Sequence, residues 1–324
     1  MISYDILLCP SCVSGKILQN DTHCVCSLCG RSYKRIFNII DFIGNDSQED
    51  NQLVELILNN YEKTYSELIN LKRNASRHSF SKKNLSIDEK LLERNREKKD
   101  IIFEMLGTQK CATFLELGCG IGSAIHGMAE IADYVIGVDF SMTSLLLANK
   151  ILQERNCKNV LLVRASIDNL PLVDNLFDIV FSTDVIEHVT NQANFIRVGY
   201  NKVKPQGKFI FNSPNRYSVF SPEPHVGVWF VGFFPRKVMS AYVYFVKKMD
   251  YQGKRLLSYF ELKRLIKKLG LHGEIKGLLK SDLEGASKNK LKCELLKRFP
   301  FGLSILNTVF KYFIPSYNVV IEKI

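Results

Sequence analysis

Phe114-Leu115-Glu116-Leu117-Gly118-Cys119-Gly120-Ile121-Gly122 decides the reading of this chain. The stretch starts apolar, as a buried strand does, and ends in three glycines spaced two apart. A helix-like pattern follows from Ser123 to Glu130. Glycines between a strand and a helix let the backbone pass close to a ligand, because no Cβ intervenes. Amides at the start of the helix then face that ligand. The turn predicts a site for a nucleotide-like cofactor.

Two features choose among such cofactors. A dinucleotide fingerprint wants its third glycine one place later than Gly122. Glu116 at the strand end would repel a pyrophosphate but can receive an ammonium group. S-adenosylmethionine has an amino-acid tail and no phosphates, so it fits the acid better. Asp139 ends the next apolar run, Tyr134-Val135-Ile136-Gly137-Val138, and can accept both ribose hydroxyls.

Working outward, strand-like and helix-like segments alternate. Ser141 caps an expected helix with Leu145, Leu146, Ala148 and Ile151 on its apolar face. Further strands are expected at Val160–Val163, Phe177–Ser182 and Gly207–Asn212, and a terminal one at Tyr317–Glu322 in the same sheet. This pattern is a doubly wound α/β sheet. Residues 213–254 form an insertion rich in proline and aromatics, with the only Trp at position 229. Tyr259 to Leu269 reads as an amphipathic helix with Phe260, Leu265, Ile266 and Leu269 inside.

These segments together resemble the class I S-adenosylmethionine-dependent methyltransferases, and within them the quinone-biosynthesis type and its saccharide- and natural-product-modifying relatives. The resemblance runs from about Thr113 to Asn215, plus the terminal strand, through Phe114–Gly122, Gly137–Ser141, Ala165–Pro171, Phe177–Val180, Val185–Val189 and Lys204–Gly207. It implies a Rossmann-like mixed sheet and a cofactor site made of Glu116, Gly118, Gly120, Gly122, Asp139, Phe140, Ser166, Ile167 and Asp184. Family members often place an acid against the adenine amino group where this chain has Ser166. A hydroxyl makes a weaker contact there, and the Ile167 amide can serve the ring. Methyl transfer needs an acceptor in line with the sulfonium and often a base. Asp184, Glu187 and His188 follow the fourth strand in D-x-x-E-H spacing. His188 is the first general-base candidate, and His225 in Pro222-Glu223-Pro224-His225 is the second. Either can instead orient a loop. The resemblance to quinone O-methyltransferases also leaves open a divalent ion on Asp184, Glu187 and His188. The fourth strand ends Ser182-Thr183-Asp184, without the Asn/Asp-Pro-Pro-aromatic signature of nitrogen-modifying enzymes, and no cysteine stands where cytosine enzymes keep their nucleophile. O-methylation leads by elimination.

The N-terminus carries its own signal. Cys9-Pro10-Ser11-Cys12 and Cys26-Ser27-Leu28-Cys29 are two C-x-x-C pairs. Each knuckle aims two thiolates at one point, and four satisfy tetrahedral Zn²⁺. A segment this short buries little core, so the metal would supply most of its folding energy. The expected organisation is a zinc ribbon at 1–43, a helical linker or lid at 44–110, and the methyltransferase domain at 111–324. Cys24 is expected to be a spectator. With all four positions thiolate, the zinc site reads as structural.

Charge sets the remaining expectations. The formal net charge is +11, and residues 236–298 alone hold 17 Lys/Arg against 6 Asp/Glu. A basic C-terminal third suggests an anionic partner or a solvated face of lysines. The start of the chain shows no signal peptide, and no apolar run is long enough to span a membrane. The combined expectation is a cytoplasmic enzyme acting on a small-molecule or lipid-linked acceptor. Its basic third and the apolar 299–314 stretch would contact the inner membrane face. An RNA methyltransferase and a non-enzymatic interaction module are the alternatives.

Overall fold

In chain order the strands are β1 (Ile17–Gln19), β2 (His23–Cys26), β3 (Ser32–Ile36), β4 (Ile39–Asp41), β5 (Cys111–Leu117), β6 (Ala132–Asp139), β7 (Val160–Arg164), β8 (Phe177–Ser182), β9 (Val203–Pro214), β10 (Gly273–Lys276) and β11 (Ser316–Glu322). The computed structural model describes residues 4–20, 23–44, 48–75, 98–106, 111–277, 279, 308 and 310–324. Among the described residues these strands form one sheet, ordered β1-β2-β3-β4-β7-β6-β5-β8-β9-β11-β10. From β7 to β9 all neighbours are parallel, and β11 runs antiparallel to both β9 and β10. The winding reverses at β5 and β8. Ligands in such sheets bind beyond the carboxyl ends at that switch point. Gly118 follows β5, Asp139 ends β6 and Ser182 ends β8, so the expected cofactor residues cluster there.

The central strands are apolar on both faces, which suits a parallel sheet covered by helices. Leu115, Leu117, Ile136, Val138 and Val180 pack on one side with α6 (Gln192–Lys202) and α8 (Tyr259–Lys268). Phe114, Val135, Leu162, Ile179 and Phe181 pack on the other with α4 (Ser123–Ala129) and α5 (Met142–Glu154). Side chains alternate between faces because a strand repeats every two residues. The Ser141 hydroxyl caps α5 by accepting the Ser144 amide at 3.2 Å. α8 begins with a capping box between Ser258 and Glu261. Its inner face differs from expectation. Leu262 and Ile266 are buried, whereas Phe260 is 59% exposed and stacks on Tyr312. β10 and α6 are elements that the sequence reading did not place.

The ribbon is continuous with this sheet. β4 runs parallel to β7, pairing Ile39 with Leu162 and Asp41 with Arg164. Arg164 is buried, and its Nη1 lies 3.1 Å from Asp41 Oδ2 while its Nε donates to the Phe140 carbonyl. Asp41 Oδ1 accepts the amides of Ile43 and Gly44.

The 44–110 region supplies α1 (Gln48–Leu58), α2 (Tyr65–Ala75) and α3, a helical stretch at 98–106. The first two pack against α5. The Tyr61 hydroxyl donates to the Leu146 carbonyl, and the Tyr65 amide donates to Glu154. Residues 76–97 and 107–110 of the expected linker, and most of 299–314, lie outside the described residues. In the insertion, α7 (Arg236–Lys247) builds a small core of Val226, Val228, Val231, Met239, Val243 and Tyr251. Among the described residues no helix is long and apolar enough to cross a membrane.

Candidate active site

The glycine turn closes on itself through two acids. Gly118, Gly120 and Gly122 all have positive φ, at 74°, 53° and 88°. A Cβ on Gly118 would lie 2.3 Å from Val185 Cγ2, and one on Gly122 would meet Ala148. A Cβ on Gly120 would meet no protein atom within 4 Å. Gly118 and Gly122 are therefore glycines for packing, whereas Gly120 opens onto space a ligand can use. Asp139 Oδ2 accepts the Gly120 amide at 2.7 Å and Oδ1 accepts the Ser141 amide at 2.8 Å. A carboxylate offers about four acceptor positions, so two remain for ribose hydroxyls. Burial pushes the Asp139 carboxyl up, opposed by the Ser141 and Gly120 amides and by Lys72 of α2.

Glu116 is fully buried. Its Oε2 accepts the Ile125 amide, which pins the first turn of α4, and its Oε1 lies 3.3 Å from Lys98 Nζ. Burial raises its pKa, opposed first by the Lys98 ammonium. The carboxylate does face an ammonium, but the one present belongs to the chain itself. Lys98 and Lys72 carry no motif and could not be singled out from sequence. Phe140 is 62% exposed beside the turn. The Ser166 hydroxyl accepts the Asp168 amide, so it caps the short turn Ile167–Asn169. Asp184 is exposed, with φ 57°, in the turn that leaves β8.

After β8 the chain turns back toward the glycines. The Val185 side chain abuts Gly118, and the His188 amide closes a turn on the Val185 carbonyl. This turn brings Glu187 and His188 against His225 of the insertion. His225 Nε2 lies 3.1 Å from His188 Nε2 and 3.6 Å from Glu187 Oε1. Its Nδ1 lies 2.6 Å from Glu223 Oε1, which also accepts the Tyr251 hydroxyl at 3.2 Å. Glu223 Oε2 accepts the amides of His225 and Val226. Glu187, and with it Glu223, holds His225 up at about 9, so its imidazole is cationic at neutral pH. Burial lowers His188, against the pull of Glu187. The two sequence candidates are thus one cluster, with His188 the neutral member. Glu223 and Tyr251 were missed. Glu223 carried a visible signal, standing between two prolines directly before His225.

At the ribbon, the Sγ atoms of Cys9, Cys12, Cys26 and Cys29 all lie within 4.8 Å of one another. Cys9 is 3.7 Å from Cys29 and Cys12 is 3.5 Å from Cys26. Sulfurs about 2.3 Å from a central zinc form a tetrahedron with edges of about 3.8 Å. A Cβ on Gly15 would lie 2.1 Å from Cys26 Sγ, so only glycine fits beside the cluster. Burial opposes ionisation of Cys9, but the Tyr33 hydroxyl and nearby amides outweigh it and bring the thiol down to about 6. Cys24 is buried apart from the four.

Comparison with known proteins agrees with the donor side. Residues 108–243 match a family model described as a methyltransferase domain. A probable S-adenosylmethionine-dependent methyltransferase of Mycolicibacterium smegmatis is 30% identical over 125 residues, 38% of this chain and 46% of that protein. Phosphoethanolamine N-methyltransferase 3 of Arabidopsis thaliana is 30% identical over 127 residues, 39% of this chain and 26% of its own length. The ubiquinone biosynthesis O-methyltransferase of Photobacterium profundum is 31% identical over 102 residues, 32% of this chain and 43% of that protein. Each match covers less than half of the relative. The ribbon at Cys9–Cys29 lies outside the residues matched to the methyltransferase domain.

Proposed function

We propose that this chain transfers the methyl group of S-adenosylmethionine to a hydroxyl of a small-molecule, saccharide or lipid-linked acceptor. The observation that carries the reading is the join between its two halves. Val185, packed on Gly118 of the donor turn, starts the turn that presents Glu187 and His188 to His225. The donor side uses Asp139 for the ribose and the space over Gly120 for the cofactor. In the transfer the carbon–sulfur bond breaks as a carbon–oxygen bond forms, and the acceptor's proton leaves to a base. His188 is the base, since its neutral imidazole can take that proton while the Glu187 carboxylate stabilises the charge it acquires. The matched relatives include both O- and N-methyltransferases. The choice of oxygen rests on the strand ending Ser182-Thr183-Asp184, which lacks the signature of nitrogen-modifying enzymes. Within the same proposal, Cys9, Cys12, Cys26 and Cys29 hold a structural zinc.

The insertion supports a lipid-linked acceptor. Trp229, Phe230, Phe233, Tyr244 and Phe245 are exposed, and Lys247 and Lys248 stand at the end of α7. Tyr244, Phe245 and Lys247 share one amphipathic helix, with Trp229, Phe230 and Phe233 in the segment before it, and such a set suits an anionic bilayer surface.

Two measurements test the reading. Calorimetry with S-adenosylhomocysteine should show binding that Asp139→Ala removes. Incubating the protein with ¹³C-methyl-labelled donor and cell extract should yield a product whose methyl carbon resonates as an O-methyl group. An N-methyl product overturns the choice of acceptor atom, and no binding of S-adenosylhomocysteine overturns the function.

A further inference from the structure

Between α6 and α8 runs a groove of about 570 Å³ that carries Arg255, Arg264 and Lys268 in its lining. Its volume is that of a small-ligand site. Arg264 and Lys268 stand four residues apart on α8, so they share a face, where like charges repel. Among the described residues none of these three cations forms an ion pair. The one acid in the lining, Glu261, is engaged elsewhere. Its Oε1 lies 2.8 Å from Arg236 and 3.6 Å from Arg216, and its Oε2 accepts the Ser258 amide and hydroxyl. The groove thus gathers three unmatched positive charges and no spare carboxylate. Charges of one sign along a concave, low-dielectric wall focus their field on an ion of the other sign. Gln192 and Ala193, in the first turn of α6, line the same groove and add the positive end of that helix dipole.

The groove is built onto the turn that carries the base. Thr190, in its lining, comes two residues after His188. The Arg255 amide donates to the Glu187 carbonyl at 2.8 Å. Gln192 is 5% exposed, and its Nε2 donates to the carbonyls of Ile186 and Arg255 at 2.9 and 2.8 Å. One buried side-chain amide therefore ties the base's turn to the groove wall. A ligand held in the groove has a fixed relation to His188.

We propose that this groove binds a phosphate or diphosphate group carried by the acceptor, and so places the acceptor hydroxyl at His188. This rests on the methyltransferase reading and names the class of its acceptor. Arg255 and Arg264 suit the task, because a guanidinium meets phosphate oxygens with two parallel hydrogen bonds, and Lys268 adds a point charge. A carboxylate would neutralise one of the three cations, whereas a diphosphate can meet all of them. The assignment also gives part of the basic C-terminal third a ligand, since all three residues fall within 236–298.

Calorimetry of the full chain with inorganic pyrophosphate at low salt, beside S-adenosylhomocysteine, tests the groove. Arg255→Gln and Arg264→Gln should each weaken pyrophosphate by about tenfold, the loss expected when one charged hydrogen bond goes. The triple variant with Lys268→Gln should bind none. Lys263→Gln/Lys267→Gln removes two charges from the same helix but outside this groove, and should leave pyrophosphate binding unchanged. All five side chains are exposed, so the variants should fold, and retained binding of S-adenosylhomocysteine checks that they do. The methyl-labelled product formed in cell extract should contain phosphorus by ³¹P NMR. Partition of that product into organic solvent marks a lipid-borne phosphate, and partition into water a soluble phosphorylated acceptor; either supports the proposal. A product without phosphorus, a polynucleotide product, or an equal loss of pyrophosphate in the control pair overturns it. If S-adenosylhomocysteine binds and pyrophosphate does not, the groove inference alone falls. If S-adenosylhomocysteine fails to bind, the methyltransferase reading falls, and the assignment of the groove to an acceptor falls with it.

Discussion

Replacing Asp41 by Ala should destabilise the whole protein. The carboxylate lies 3.1 Å from Arg164 Nη1, with the two side chains 6% and 1% exposed. Alanine leaves a guanidinium buried without its counter-charge. Breaking one partner of a buried pair costs about 3–5 kcal/mol. That lowers the folding equilibrium constant by roughly two to four orders of magnitude. Ile43 and Gly44 also lose their amide acceptor, which adds to the loss. The double variant Asp41→Ala/Arg164→Met should cost less than the sum of the singles by about 1–3 kcal/mol, because it removes both charges together. Urea denaturation at saturating zinc, read by circular dichroism for all four proteins, measures each term. A loss under about 1 kcal/mol for Asp41→Ala, or strict additivity in the cycle, would refute the account given of the joint between ribbon and sheet.

Four further outcomes are expected. Gly118→Ala should lower both stability and S-adenosylhomocysteine affinity, since its Cβ meets Val185, whereas Gly120→Ala should lower affinity far more than stability; calorimetry and thermal melting separate the two. Chelating the ribbon metal should speed amide exchange at Leu162, whose N–H donates to the Asn38 carbonyl, and unchanged exchange there would show that the ribbon does not depend on metal. Burial holds the His126 pKa below 6.5, so the unfolded chain binds the extra proton and stability should fall as pH drops below about 6.5. His126→Asn should flatten that slope in urea titrations. Phe245→Glu should reduce co-sedimentation with anionic vesicles, and equal partitioning of the parent protein to neutral and anionic vesicles would count against the lipid surface.

Much of the fold was legible because the strands are bounded by signals that act locally. Ser141 announces a cap, and the apolar runs of β7 and β8 are continuous. The donor turn was legible for a related reason: glycine spacing and a strand-end acid are close in sequence. What could not be read depends on residues brought together from afar. Lys98 reaches Glu116, and Asp41 reaches Arg164, across long separations that leave no pattern in the chain. β10 is short and half exposed, with only Ile275 as a large apolar residue. Phe260 was assigned inward from helical spacing alone. Its neighbour Leu262 won that place, and Phe260 found Tyr312 instead. On the acceptor side His188 and His225 were each visible. That they meet, with a bare carboxylate between them, is a property of the insertion's path.

The parallel pairing of β4 with β7 has a consequence for solubility. Val160-Leu161-Leu162-Val163 is a fully buried, β-prone and uncharged run. As an outermost strand it would offer a row of free amides and carbonyls to any other extended chain. The ribbon occupies that margin and ends it in β1, only three residues long, with two of them exposed. If the four thiolates hold zinc as proposed, a chain made where zinc is scarce would lose its guard as well as its ribbon, and would be expected to accumulate as aggregate.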